Sequence, residues 1–362
     1  MWKRICCIYW GCIFFCLVAC HEEVTYFNGE TFIVEDSLSI DTLAGEKIEF
    51  DSVNNGLLSI CDSFLFFMSH RSRDYQFTCF DRDGHYIAKF APKGRGSNEF
   101  LNLTPIVQRY EEEGEQKALL TAINEEKAIV FNITKSVIER KTVYDTIFDL
   151  KWRNKSTRSF VSIFWDVQDN ILAFKQPELM NLKEHRYSLP KWNVIDPKND
   201  GIVREYDLFK SSIYNPVAKE INGQFFSSFN LLNEERTKIV MFMSMLPQIN
   251  ILDLKTGKLR GIRLAGYPDF EDLATEDKTF REYYGFSAID RNYIYALWLD
   301  KDCTKIEPNK SCLVYVFNWD GELKYKLYIP ETINQIQIDA KNRLLYGVDL
   351  QMDKVFKYKL PF

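Results

Sequence analysis

The loop Lys93-Gly94-Arg95-Gly96-Ser97-Asn98-Glu99-Phe100 is the first stretch of this chain that suggests chemistry. Two glycines one residue apart, behind an apolar run, could let backbone N–H groups close around a phosphate. That chemistry needs a helix N-terminus facing the anion, or a Lys-Ser/Thr pair after the glycines. Neither follows, so the loop reads as a crossing where glycine permits a close turn, with Glu99 capping amides inside it. The four histidines, His21, His70, His85 and His185, share no zinc-like spacing with one another or with a cysteine. Asp81-Arg82-Asp83-Gly84 begins as a calcium loop would, but the later ligands and the terminal glutamate are absent, and a turn is the simpler reading. No Gly-x-Ser-x-Gly elbow occurs. Glu111-Glu112-Glu113 reads as a solvated tip. The sequence assigns no catalytic residue, no metal set and no cofactor.

Five of the nine cysteines (Cys6, Cys7, Cys12, Cys16 and Cys20) lie in the first twenty residues. Lys3 and Arg4 open this segment, Ile5 to Val18 is apolar and uncharged, and Leu17-Val18-Ala19-Cys20 closes it. The apolar run is shorter than the ~20 residues that span a bilayer, and its flanks fit a signal peptide over residues 1–19. The closing tetrapeptide resembles the lipobox of bacterial lipoproteins. That resemblance implies that Cys20 carries the lipid and becomes the mature N-terminus, held at the membrane by acyl chains alone. A short membrane anchor with an incidental cysteine is the alternative. His21-Glu22-Glu23 resembles the surface-export signal of Bacteroidetes lipoproteins. The expected address is the outer membrane of a Gram-negative bacterium, on its periplasmic or outer surface. Residues 20–30 are then a lipidated tether and residues 31–362 a single domain.

The cysteines left are Cys61, Cys79, Cys303 and Cys312. An exported chain can pair them. Cys303 and Cys312 bracket the polar stretch Thr304 to Ser311 and form a candidate disulfide; two free thiols are the alternative. Cys79 sits in an apolar strand as a small core residue. Loss of Lys3 and Arg4 with the leader takes the formal net charge from −5 to −7, which argues against a nucleic-acid partner.

Positioning falls to β-structure. Aromatics make up 15% of the chain, a composition suited to broad rings packed between pleated faces. Hairpins are expected at Phe77–Phe90, Ala128–Val143, Tyr187–Tyr206, Ile249–Leu264 and Leu313–Ile329, several turning at Asp-Gly or Thr-Gly pairs that supply positive φ. The second turns near Asn132 to Ser136. The matching residues Asp81, Asn132, Asp196, Asp253 and Asn318 recur every fifty to sixty-five positions, a propeller period. Two further strands precede each hairpin. The C-terminus offers three, Ile333–Ile338, Leu344–Val348 and Val355–Tyr358, and the missing fourth is expected from Thr31 to Phe50. The predicted fold is all-β: a six-bladed β-propeller of four-stranded antiparallel blades, closed by pairing of N- and C-terminal strands. Asp269 to Tyr284 is expected to be a short surface helix or loop.

First-to-second and third-to-fourth turns of such blades share one face and are short here. Second-to-third turns and blade crossings share the other and are long: Ser69 to Tyr75, Ala91 to Thr104, Tyr144 to Ser159, Lys175 to Arg186, Lys210 to Gly223, Ala265 to Tyr284 and Asp300 to Ser311. Binding sites favour loops presented by a rigid scaffold. Trp152, Trp192 and Tyr267 fall in or near this set and are candidates to stack on sugar rings; hydrophobic lids over the blades are the alternative.

The loop at Gly94, Gly96, Glu99 and Phe100, following a hairpin with an Asp-Gly turn, resembles the Gly-x-Gly-Pro-Gly-Glu-(Phe/Tyr) loop of Bacteroidetes lipoproteins of the TolB-like six-bladed propeller family. Ser97 and Asn98 stand where that pattern has Pro-Gly. The resemblance implies the propeller and carries no established activity. The functional expectation is a monomeric, lipid-anchored binding module that takes a glycan, peptide or envelope protein on its long-loop face. The alternative is a propeller hydrolase or lyase of lactonase type, with a central metal held by Glu, Asn and Asp at inner-strand ends.

Overall fold

Short runs of β-branched and aromatic residues, punctuated by turn residues, can form only short strands, and a strand must bury its apolar faces against a neighbour. The computed structural model describes residues 26–69, 71–122, 125–150, 160–175, 179–181, 186–187, 189–198, 201–210, 225–275, 281–303 and 311–362. It places these runs in six antiparallel blades. Blade 1 is Leu57–Cys61, Phe64–Met68, Tyr75–Asp81 and Tyr86–Pro92. Blade 2 is Gln108–Glu112, Glu115–Ala122, Lys127–Asn132 and Tyr144–Asp149. Blade 3 is Phe160–Trp165, Ile171–Lys175, Lys191–Asp196 and Gly201–Asp207. Blade 4 is Ser228–Leu232, Lys238–Met243, Gln248–Asp253 and Leu259–Leu264. Blade 5 has an inner strand in two pieces, Arg281–Tyr284 and Ala288–Ile289, then Tyr293–Asp302, Cys312–Asn318 and Leu323–Ile329. Blade 6 joins Gln335–Asp339, Leu344–Asp349 and Lys354–Lys359 to the N-terminal strand Gly45–Lys47.

Second strands such as Phe64–Met68 and Lys238–Met243 are buried along nearly their whole length, because a neighbouring blade covers each face. They therefore read as continuous apolar runs rather than alternating ones. Gly201–Asp207, an outer strand, is mostly exposed. Apolar clusters fill the spaces between consecutive blades. Phe66, Phe77 and Phe90 of blade 1 meet Phe131 of blade 2. Phe164 and Trp192 of blade 3 meet Met241 of blade 4. Leu65 and Phe67 of blade 1 meet Tyr346 and Val348 of blade 6.

Inside these clusters, polar side chains of the inner strands tie blade to blade. Ser59 donates to the Ile106 carbonyl at 3.0 Å. The Gln108 amide grips Trp165, donating to its carbonyl at 2.9 Å and accepting its N–H at 2.8 Å. Asn230 donates to the Ser162 hydroxyl at 3.1 Å. Gln335 grips Leu58 as Gln108 grips Trp165. The buried Gln108 and Gln335 amides are satisfied by the neighbouring backbone and the Asn230 amide by serine hydroxyls, as burial requires.

The N-terminal segment does more than close the ring. Phe27 bridges Phe209 at the end of blade 3. Glu30–Val34 then runs parallel to the outer strand of blade 4, from the pair Glu30–Arg260 to the pair Val34–Leu264. Ile40–Thr42 runs parallel to the outer strand of blade 5, and Gly45–Lys47 completes blade 6. Within the expected interval Thr31 to Phe50, the closing strand is thus Gly45–Lys47, whereas Thr31 to Val34 is a fifth strand on blade 4. The part of the tether from Tyr26 onward also packs on the propeller, with Lys210 donating its N–H to the Tyr26 carbonyl at 2.7 Å.

One expected hairpin takes a different form. After Lys127–Asn132 the chain enters helix α1 (Ile133–Glu139) and returns as Tyr144–Asp149. Asn132 caps the helix, its side-chain oxygen accepting the Lys135 N–H at 2.9 Å, and Arg140 ends it in the left-handed region. The outer strand of blade 2 therefore lies where a long crossing was expected, and α1 decorates the otherwise short-turn face. The expected short helix in the crossing from blade 4 to blade 5 is α2 (Phe270–Thr275), and Arg281–Tyr284 at the end of that stretch is strand.

Candidate functional site

The inner strand of blade 5 breaks at Gly285-Phe286-Ser287, and the break builds a cavity. Gly285 comes so close to blade 6 that a Cβ there would lie 2.8 Å from the Asn334 carbonyl oxygen. Only glycine allows that approach. The Gly285 N–H then donates to Leu297 at 2.9 Å, the Phe286 N–H to Asn334 at 3.0 Å, and the Phe286 carbonyl accepts from Ile336 at 2.8 Å. Ser287 secures the bend, donating to the Gly285 carbonyl and accepting the Leu297 N–H, each at 3.0 Å. Phe286 is pushed outward and left 37% exposed. Its ring meets Phe229 of blade 4 edge to face at 5.3 Å.

Beside Phe286 lies a cavity of about 200 Å³ between blades 5 and 6. Its rim comes from elements of the long-loop face: Ser244 and Gln351 in second-to-third turns, and Thr332 to Asn334 in a crossing. Among the described residues, its charged lining groups are Glu282 and Lys301, direct cross-strand partners. Burial raises the Glu282 carboxyl above the usual carboxylate range, and the Lys301 ammonium works against that rise. Cys312 lines the floor, its thiol directed at the Ile333 carbonyl at 3.3 Å.

A smaller space, about 90 Å³, follows the propeller axis and is bounded by inner-strand residues including Leu58, Ile106, Leu231 and Gln335. The inner-strand residues Asn230 and Gln335 are engaged in the inter-blade bonds described above. Among the described residues, the metal-ligating side chains that converge are Asp81, Asp83 and His85, on the exposed hairpin turn of blade 1. Asp81 already serves that turn: its Oδ1 accepts the N–H groups of Asp83 and His85, each at 2.9 Å, and its Oδ2 lies 3.0 Å from His85 Nδ1.

The candidates from sequence lie elsewhere. Trp192 is fully buried, stacked on Phe164 at 5.7 Å, with its indole N–H directed at Met241 sulfur. A ring without exposed surface cannot stack on a ligand, so Trp192 is a core residue between blades 3 and 4. Tyr267 is half-buried, edge-on to Trp298 at 4.8 Å, and lines neither space. Trp152 and Cys20 lie outside the described residues. Cys303 is exposed and Cys312 buried, and the expected staple between them is not formed. In the glycine loop, a Cβ at Gly94 would fall on the Glu99 carboxylate, which accepts the Gly96 N–H at 3.0 Å. Phe100 is buried, and Gln76 fixes its carbonyl at 2.8 Å. This loop is a folded crossing. The cavity residues Phe286, Phe229, Glu282 and Lys301 were not singled out from sequence. The available signal was Gly285, an isolated glycine in a strand pattern, which marks a bulge or close backbone approach.

The fold defines a closed six-bladed β-propeller. No protein-family model matches the chain, and no curated protein matches its sequence. Among solved structures, it is similar to a protein of Bacteroides fragilis described as exported, with 10% identity and a TM-score of 0.55, over 91% of this chain and 98% of that one. A member of the DUF4221 family from Bacteroides vulgatus aligns at 12% identity and a TM-score of 0.49, over 91% and 94% of the two chains. At 10% identity, the likeness to the Bacteroides fragilis protein is one of fold alone. No helix among the described residues is long and apolar enough to cross a membrane.

Proposed function

We propose that this protein is a lipid-anchored binding module of the bacterial envelope, related to the TolB-like propeller lipoproteins. It engages a glycan, peptide or protein partner through its long-loop face, as a monomer. The leader ending at Cys20 supports the anchor. The observation that carries the binding reading is the cavity between blades 5 and 6, rimmed by second-to-third turns and a crossing on that face. A concave, mostly preformed space with an exposed aromatic and a few convergent polar groups is the usual form of a ligand site.

The test presents the detergent-solubilised full chain to glycan and peptide arrays and to envelope extracts. A Phe286→Ala variant changes the loop face. An Ile138→Ala variant changes the opposite face, on exposed α1. Binding that falls in the first and persists in the second supports the assignment. Binding that persists in both, or falls only in the second, overturns it. Cys20→Ala should abolish acylation and release the chain from membranes; an unacylated variant that stays bound would refute the anchor.

A further inference from the structure

We infer that the cavity between blades 5 and 6 receives one neutral pyranose ring of an envelope glycan, packed against Phe286; this rests on the binding role proposed for the long-loop face and narrows it. Size comes first. About 200 Å³ is below the ~300–1,000 Å³ of pockets for drug-sized ligands. The cavity therefore takes a single ring or side chain from a longer molecule.

Charge then selects among such units. Among the described residues, the charged lining groups are one carboxylate, Glu282, and one ammonium, Lys301, set opposite each other across a strand pair. These two charges balance. A charged ligand group would meet one of the two as a like charge in a half-buried place, where that costs most. A neutral ligand avoids that cost.

The walls select further. Phe286 offers an exposed ring in an orientation fixed by its edge-to-face contact with Phe229. The electron-rich face of such a ring suits the C–H groups on one side of a pyranose. The rim groups Ser244, Asn334 and Gln351 are hydroxyl and amide side chains that both donate and accept, as sugar hydroxyls do. An extended peptide would be captured differently, by adding to a free strand edge. Here the N–H groups of Gly285 and Phe286 and the Phe286 carbonyl are already paired to Leu297, Asn334 and Ile336. The cavity offers a peptide no ladder at this point.

The experiment uses saturation-transfer NMR on the full chain in detergent. The probes are methyl pyranosides of neutral hexoses and N-acetylhexosamines, with glucuronic acid and uncharged tripeptides for comparison. Transfer is expected to the ring C–H protons of at least one neutral pyranoside and not to glucuronic acid. Phe286→Ala should weaken that binding about tenfold, the scale of one buried aromatic contact. Phe286→Tyr, which keeps the ring face, should restore most of it, and a wild-type thermal midpoint in the Ala variant excludes misfolding as the cause. Absence of transfer from every neutral pyranoside overturns the inference, as does transfer unaffected by Phe286→Ala. If a peptide or protein instead binds in a Phe286-dependent way, the sugar assignment fails while the binding face stands. If pyranoside binding is lost in Ile138→Ala and kept in Phe286→Ala, both fail.

Discussion

Gln335 holds Leu58 with both ends of its amide: the Leu58 N–H donates to Oε1 at 2.9 Å, and Nε2 donates to the Leu58 carbonyl at 2.7 Å. The two residues are 277 positions apart and join the inner strands of blades 6 and 1, where the ring closes. Gln335→Leu keeps the volume but leaves two buried backbone groups unpaired. The expected loss is about 2–4 kcal/mol of unfolding free energy, since each orphaned buried group costs about 1–3 kcal/mol. Urea titration checks it. Ser59→Ala, which removes a single bond to Ile106, should cost about 1 kcal/mol. Equal effects from the two would show that the double grip has no special weight.

The N-terminal strap gives a second prediction. Phe27 is buried against Phe209 and Phe270, so Phe27→Ala should cost about 3–5 kcal/mol. Removal of every residue before Ala44 is a sharper test. It keeps the closing strand Gly45–Lys47 but strips Glu30–Val34 and Ile40–Thr42 from the outer edges of blades 4 and 5. Uncovered edges pair with other chains. The shortened protein should keep its β circular dichroism, melt at lower temperature and scatter light increasingly with concentration. A melting point and scattering equal to those of the full chain would show that the strap is dispensable.

The blades were legible because their determinants are local. Asp83-Gly84 and Thr256-Gly257 dictate turns, and doubly covered strands such as Phe64–Met68 announce themselves as unbroken apolar runs. Helix α1 was hidden because Ile133, Thr134, Val137 and Ile138 are β-branched and continue the strand pattern through it. Its cap at Asn132 and its packing outweigh that propensity, and seven residues are too few to show a helical period. The parallel pairing of Glu30–Val34 joins residues more than 200 positions apart, which no local pattern reports. The cavity was hidden for the same reason. Phe229, Glu282 and Asn334 come from two blades and a crossing, and only Gly285 marked the place. Trp192 misled because a tryptophan beside a long loop has the same local signature whether it faces solvent or core.

Thiol chemistry distinguishes the cysteines. Cys61, Cys79 and Cys312 are buried and Cys303 is exposed. Burial pushes the Cys61 thiol up to about 12 and raises Cys79 and Cys303 as well, so access is what separates Cys303. Thiolate is the reactive form. In the native chain, iodoacetamide at pH 8 should label Cys303 alone of these four, and all four after denaturation without reductant. Mass spectrometry of tryptic peptides reads the pattern. A Cys303–Cys312 disulfide would leave both unlabelled until reduced and would reinstate the staple.

The acid response of blade 2 should run through Asp145. Lys117 lies between two carboxylates, 2.8 Å from Glu112 and 2.7 Å from Asp145. Asn132 donates to both oxygens of Asp145 at 3.0 Å. Burial opposes ionisation of Asp145, but the bonds from Lys117 and Asn132 outweigh it and hold the carboxyl below its ordinary value. The hydrogen bonds that Lys117 donates to Asp145 and Glu112 in turn raise its ammonium. The signs follow from linkage. A depressed carboxyl contributes stability that is complete above the unfolded value of ~3.9 and is lost as pH falls through the lower folded value. A raised ammonium contributes stability that is complete below the unfolded value of ~10.4 and is lost only as pH rises through the higher folded one. The pair should therefore act at full strength near pH 7 and fail on the acid side first. Asp145→Asn should be less stable than wild type at pH 7, and the gap should narrow as pH falls below the ordinary carboxylate value and Asp145 takes up a proton. Urea midpoints at pH 7, 5, 3 and 2 trace this convergence. A gap constant down to pH 2 would assign the loss to packing and remove the charge of Asp145 from the account.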